Sequence, residues 1–296
     1  MASEAFQRLG HLTMNDGHTI PMFAYGLGSA RTKNEAETVT DLTVMAIKKG
    51  FYHLDGAEVY KNETELGAAI KKAGVDRSKL FVTSKLQSMA DDDAPAAFER
   101  TLERLGLSYV DLYLIHAPFS ATSPQQLQKT WADLEAIKAS GRAKSIGVSN
   151  FTVAHLKTIL ETAKIVPAMN QIEYHPYLQH NVDGLLSFCR EKGIAVAAYG
   201  GLTAITKAKP GPCDDAYAEI AAKYGVSEGD VALRWCIDQD IVAITTSGSE
   251  QRLQGYLDGV SSFKLTPSEI ERIAAEGDKK HFRAYWVNRY AADDRT

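Results

Sequence analysis

Four residues could cooperate on a proton: Asp55, Tyr60, Lys85 and His116. Each stands at or just past the C-terminal end of a short apolar run. Asp55 closes residues 51–54 and Tyr60 follows shortly after; Lys85 closes 80–84 and His116 closes 110–115. Ionisable groups placed where strands stop are the layout of a barrel active site. An isolated phenol titrates near pH 10 and is a poor acid at neutrality. A neighbouring ammonium favours the phenolate and lowers that value, and a carboxylate keeps the ammonium charged and in place. The expectation is a tyrosine tuned to release its proton near neutral pH, with His116 donating a hydrogen bond to the same developing oxyanion. Singly, each residue has a plainer reading. A Tyr, Lys or Asp at a helix start caps or is solvated, and a lone His after a strand is more often structural. Their joint placement at successive strand ends favours chemistry.

The elements that must position them alternate along the chain. An Asp16-Gly17 pair inside residues 12–21 reads as a β-hairpin turn. Strand-like runs then follow at 23–25, 52–54, 80–84, 111–115, 143–148, 168–172, 194–198 and 241–245. Helical periodicity fills the intervals: 35–49, 63–73, 94–105, 124–139, 153–163, 182–191, then 214–224 with 228–238, and finally 251–257 and 267–275. Glycines 50, 74, 106, 141 and 193 stand where helices should stop. Eight strand–helix units joined by right-handed crossovers can close into an (α/β)₈ barrel, here with an N-terminal hairpin and extra C-terminal helices. No linker or composition shift divides the chain, so residues 1–296 read as one domain. A doubly wound sheet would need a phosphate-binding glycine turn after the first strand. Gly26-Leu27-Gly28-Ser29-Ala30-Arg31 begins that way but carries Arg31 where the third glycine should be.

Bulk properties exclude several classes. The 296 residues are 45% hydrophobic and 24% charged, as in a globular protein. A net charge of -4 gives no basic footprint for nucleic acid or membrane. Cys189, Cys213 and Cys236 fit neither a disulfide framework nor a metal motif, so a reduced, cytoplasmic enzyme is expected. His116, His175 and His180 have no metal-ligand spacing, and no metal is expected. Asn62 and Asn150 begin glycosylation-like triplets, read as chance matches in the absence of a signal peptide.

The later strand ends are polar too: Ser149-Asn150-Phe151, Asn170-Gln171-Ile172-Glu173 and Tyr199-Gly200-Gly201-Leu202. Ser, Asn and Gln suit an amide-bearing ring, and Tyr199 could stack on it. Helix capping by Ser149 and Asn150, and barrel filling by Tyr199, are the plainer alternatives. These segments together resemble the aldo-keto reductases over nearly the whole chain. The motifs are Leu54-Asp55-Gly56-Ala57-Glu58-Val59-Tyr60-Lys61-Asn62-Glu63, Leu112-Tyr113-Leu114-Ile115-His116-Ala117-Pro118, Gly147-Val148-Ser149-Asn150-Phe151 and Asn170-Gln171-Ile172-Glu173-Tyr174-His175-Pro176-Tyr177. The resemblance implies NADPH-dependent reduction of a ketone or aldehyde, with Tyr60 as general acid, Asp55 and Lys85 as its tuning pair and His116 orienting the carbonyl. It further implies cofactor contacts at Ser29, Asp55, Ser149, Asn150, Gln171, Tyr199, Gly200, Leu202, Thr246, Ser247, Gly248 and Arg252. A small-molecule carbonyl substrate is the implied partner. A monomer is expected, with a dimer as the alternative. The other readings of the fold are a general aldehyde or aldose reductase and a cofactor-binding regulatory member.

This chain departs from the family pattern at both ends of the expected cofactor. Thr246 stands where a lysine usually grips the 2′-phosphate, although Ser247 and Arg252 remain, so use of NADH beside NADPH stays open. Ala30, Gln87 and Ala117 stand where many members carry tryptophan. The expected substrate pocket is Ala30, Tyr60, Gln87, His116, Ala117 and Phe119, opened and made partly polar. It looks more like the fungal branch of conjugated polyketone and ketopantoyl lactone reductases, which points to α-diketones or keto-lactones. Arg283, Tyr285, Trp286 and Tyr290 in the tail either touch ligand or plug the side of the barrel.

Overall fold

Runs of three to seven residues, too short for core helices and bounded by turn residues, become strands. In a computed structural model, which describes residues 8–28, 35–89 and 93–296, they form ten. β1 (His11–Thr13) and β2 (Thr19–Pro21) make an antiparallel hairpin, with Leu12 opposite Ile20. β3 (Phe23–Gly26), β4 (His53–Asp55), β5 (Phe81–Leu86), β6 (Val110–Ile115), β7 (Ala143–Ser149), β8 (Met169–Glu173), β9 (Ala195–Tyr199) and β10 (Ile241–Thr245) pair in parallel. β10 closes onto β3, giving a complete barrel in chain order. Helices cover it outside, with Glu250–Ser261 and Pro267–Asp278 after the last strand.

The barrel closes tightly because small residues sit where backbones converge. A Cβ on Gly147 would lie 2.5 Å from the Met169 carbonyl oxygen, so β7 and β8 could not approach with any larger residue there. The helix Ala36–Lys49 ends on Gly50 at φ 109°, a backbone conformation that glycine adopts without the Cβ clash. The hairpin lies under the N-terminal ends of the strands: Asn15 donates to the Pro167 carbonyl at 2.9 Å, and Lys138 pairs with Asp16 at 2.6 Å. The opposite end, where the strands finish, is left for chemistry. Among the described residues, no helix is long and apolar enough to cross a membrane.

Several boundaries move from the sequence expectation. β5 continues through Lys85 to Leu86, all six residues buried, so Lys85 is inside its strand rather than after it. The expected helix 182–191 begins only at Leu185, because Gly184 is left-handed at φ 67°. The helix expected over 153–163 stops at Leu160. Asn62 and Asn150 are both buried and hydrogen-bonded, Asn62 to the Leu27 carbonyl at 3.0 Å, which leaves no space for a glycan.

Candidate active site

Lys85 points from β5 into the barrel mouth with its side chain 1% exposed. A lone ammonium there would be costly, and three contacts compensate it. Nζ donates to Asp55 Oδ1 at 2.7 Å and to the Gly56 carbonyl at 2.7 Å, and it stands 5.1 Å from the Tyr60 ring centre. Burial alone would lower the lysine's pKa, but the Asp55 charge, with hydrogen bonds to Asp55 and Tyr60, outweighs it and raises the value, so Lys85 is a cation at neutral pH. The second Asp55 oxygen accepts from Gln171 Nε2 at 2.7 Å. One carboxylate thus ties β4 to β5 and to β8 across the barrel.

Tyr60 belongs to the short 3₁₀ turn Glu58–Tyr60 after β4, and its ring meets His116 edge-on at 5.6 Å and 87°. Its titration differs from the sequence expectation. Burial raises the phenol's pKa, Lys85 opposes that by charge and hydrogen bonding, and the net direction is upward. Tyr60 is therefore held protonated at neutral pH rather than poised to ionise. Burial, reinforced by the Lys85 charge, pushes His116 down to about 3, so its imidazole is neutral.

Ser149 and Asn150 do not cap the following helix, which is capped by Thr152 with His155. They face the barrel mouth instead. Asn150 is left-handed at φ 61°, which Asn tolerates better than most residues, and the turn aims its side chain inward. Its Nδ2 donates to the His116 carbonyl at 2.8 Å, and its Oδ1 accepts from Tyr199 Oη at 2.5 Å. Ser149 Oγ donates to the Gln171 carbonyl at 2.7 Å.

These groups share one open cleft of about 290 Å³. It brings together Asp55, Tyr60, His116, Ser149, Asn150, Gln171, Tyr199, Gly200 and Thr246 from the expected set, with Lys85 beneath. Leu202, Ser247, Gly248 and Arg252 do not line it. Neither do Gln87, Ala117 and Phe119 of the expected substrate pocket, whereas Tyr60 and His116 do. Gln87 is exposed and uses its backbone N–H on Glu58, Ala117 is buried, and Phe119 packs against Trp286 at 5.0 Å. Ser29 and Ala30 lie outside the described residues. Val59, Tyr285 and Trp286 also line the cleft, whereas Arg283 and Tyr290 of the tail do not. Tyr285 meets Tyr199 edge-on at 5.2 Å, and Trp286 meets His116 at 6.2 Å. The one sequence signal for Val59 was its place directly before Tyr60; in the structure it is a large apolar residue left 41% exposed beside the polar cluster.

The far side of the cleft carries groups with bonding capacity to spare. Thr245 Oγ1 and Thr246 Oγ1 are buried without a hydrogen-bond partner. Beyond them a Ser247–Ser249 turn starts the helix Glu250–Ser261, whose first turn carries exposed Arg252 with no ion pair among the described residues. Unpartnered hydroxyls, a helix N-terminus and an unpaired guanidinium fit an anionic, hydroxyl-rich dinucleotide.

A parallel eight-stranded barrel with an Asp–Lys pair buried under a protonated tyrosine, beside an amide-lined cleft, defines a class of oxidoreductase sites. Residues 23–277 match the Aldo/keto reductase family, and the chain belongs to it. It is 36% identical over 274 residues to the NAD/NADP-dependent indole-3-acetaldehyde reductase of Schizosaccharomyces pombe, covering 91% of this chain and 96% of that one. It is 35% identical to the NADPH-dependent alpha-keto amide reductase of Saccharomyces cerevisiae, covering 94% of each. The crystal structure of a Bombyx mori aldo-keto reductase in complex with NADP superposes with a TM-score of 0.80 at 32% identity, covering 90% of this chain and 92% of that one.

Proposed function

We propose that this chain is a single-domain, monomeric, cytoplasmic reductase that converts an aldehyde or ketone carbonyl to an alcohol with NADPH. The observation that carries the reading is the buried Asp55–Lys85 pair directly under Tyr60 at one end of an amide-lined cleft. Ser149, Asn150 and Gln171 would hold the carboxamide, Tyr199 the ring face, and Thr246, Ser247, Gly248 and Arg252 the phosphate side. NADPH, when bound, supplies the hydride.

The chain's own residues handle the proton and the charge. Neutral His116 has a ring N–H to offer the carbonyl oxygen, which orients the substrate without adding a charge. Tyr60, kept protonated by burial, gives its proton to that oxygen as negative charge develops there. The phenolate left behind is stabilised by the Lys85 cation, and Asp55 keeps that cation charged. Tail residues Tyr285 and Trp286 keep water from the reacting face.

A cleft shared with a dinucleotide leaves room for a compact substrate only. With Val59 and Trp286 lining the cleft beside His116, α-diketones and keto-lactones suit this space, and the alpha-keto amide activity named for the yeast relative supports vicinal dicarbonyls. Thr246 in place of a lysine, with Arg252 still available, favours NADPH while permitting NADH, a pairing also named for the Schizosaccharomyces pombe relative. Replacing Tyr60 by Phe tests the mechanism: kcat for diacetyl reduction should fall by roughly 10²–10⁴-fold, while NADPH binding by fluorescence titration stays within a few-fold. Full turnover in Tyr60→Phe overturns the reading.

A further inference from the structure

Glu173 ends β8 two residues beyond Gln171, is 2% exposed, and lines no part of the cleft. A buried carboxylate needs partners, and this one finds them in the C-terminal tail. Its Oε1 accepts from the Ala284 backbone N–H at 2.7 Å, and its Oε2 accepts from the Tyr285 backbone N–H at 3.1 Å. His175 Nε2 stands 3.0 Å from Oε1 and braces the carboxylate from the other side. The next residue, Trp286, is left-handed at φ 57°, a conformation that a bulky side chain avoids unless held. That turn is what aims Tyr285 at Tyr199 and Trp286 at His116.

The geometry points to Glu173 as a positioning residue for substrate specificity: its carboxylate docks the tail through two backbone N–H groups and so sets the substrate wall formed by Tyr285 and Trp286. The role rests on the reductase reading for its kinetic consequence, but the docking itself does not. The carboxylate is suited to it because both its oxygens accept, and neither presents a hydrogen to the tail.

Glu173→Gln keeps the shape but turns an NH₂ toward one backbone N–H, leaving a buried donor unpaired. The first measurement needs neither cofactor nor substrate. Trp131 and Trp235 are buried, whereas Trp286 is half-exposed, so acrylamide quenching of intrinsic fluorescence reports the tail. Quenching should rise in Glu173→Gln, and the rise should vanish in a Trp286→Phe background. KM for diacetyl should increase roughly tenfold with kcat within about threefold, the signature of lost substrate positioning rather than lost chemistry. Ala284→Pro removes one donor from the tail side, leaves the barrel untouched, and should reproduce both effects; it decides the matter if Glu173→Gln fails to fold. Quenching unchanged in these variants, quenching that rises equally without Trp286, or a fall in kcat at constant KM would each overturn the assignment. A native protein that never oxidises NADPH overturns the reductase reading, and the quenching comparison then still decides the docking.

Discussion

The two walls facing the reacting carbonyl are built in opposite ways. The proton-handling wall is anchored in β4, β5 and β6: Asp55 and Lys85 belong to hydrogen-bonded strands, His116 follows directly on β6, and Tyr60 sits in the short turn after β4. Asp55, Lys85 and His116 are all buried and lock one another by charge and close packing. The proposed substrate wall comes from residues 285 and 286 of an irregular tail, which has no sheet partner and is held by Glu173, by a bond from the Phe282 N–H to the Tyr177 carbonyl, and by ring contacts to Tyr199, His116 and Phe119. A strand can hold a charge to within a fraction of an ångström, which proton transfer needs. A loop can change shape without disturbing the core, which a substrate wall exploits.

The sharpest way to break this contrast is inside the strand wall. Lys85→Met strips Asp55 of its buried cation and should cost about 3–5 kcal/mol of stability along with nearly all turnover. Denaturant unfolding followed by circular dichroism, beside initial rates, checks both losses. If Lys85→Met unfolds at the same denaturant concentration as the parent, the pair is not what holds β4 against β5.

Acid should attack the strand wall next. Burial pushes His53 down to about 4, His116 to about 3 and His180 to about 4. The unfolded chain then binds protons that the folded chain refuses between about pH 6.5 and 4, so stability falls as pH drops through that window. Each histidine contributes on the order of 1.4 kcal/mol per pH unit there. Thermal melts at stepped pH should show the decline. Over pH 7 to 9 the rate of reduction should stay flat, because His116 is already neutral and Tyr60 is still protonated. An inflection near pH 6.5–7.5 in kcat/KM, traced to His116 by substitution, would contradict its neutral assignment.

The smallest effect should come from the tail. Trp286→Ala removes a half-exposed ring and should shift stability by no more than about 1 kcal/mol. KM for diacetyl should nonetheless change severalfold, with kcat less affected. A melting temperature that collapses in Trp286→Ala would make the tail part of the core after all.

The strand wall was legible in the sequence because strand, helix and stop signals agree with one another. The helices Glu63–Ala73, Ala94–Leu105 and Pro124–Ala139 have the expected bounds, each stopping at or just before its glycine signal, Gly74, Gly106 or Gly141. Lys85 misled on one point, since a lysine reads as the end of a buried strand unless its carboxylate partner, 30 residues away, is known. The direction of the Tyr60 shift was misread for a related reason. The lysine was visible in the sequence, but the depth of burial that outweighs it was not. The tail stayed ambiguous because no periodicity marks it. Its contacts come from a carboxylate more than a hundred residues earlier. Gln87 entered the expected pocket through the family resemblance alone, and the structure places it just beyond β5, exposed.

Glu173 grips residues 284 and 285 by their main-chain N–H groups, and a main chain is common to every residue except proline. The attachment therefore reads no side chain. Positions 284 and 285 can take any residue but proline without losing the anchor's donors, so a library confined to them would sample new substrate ranges on an unchanged proton-transfer machine.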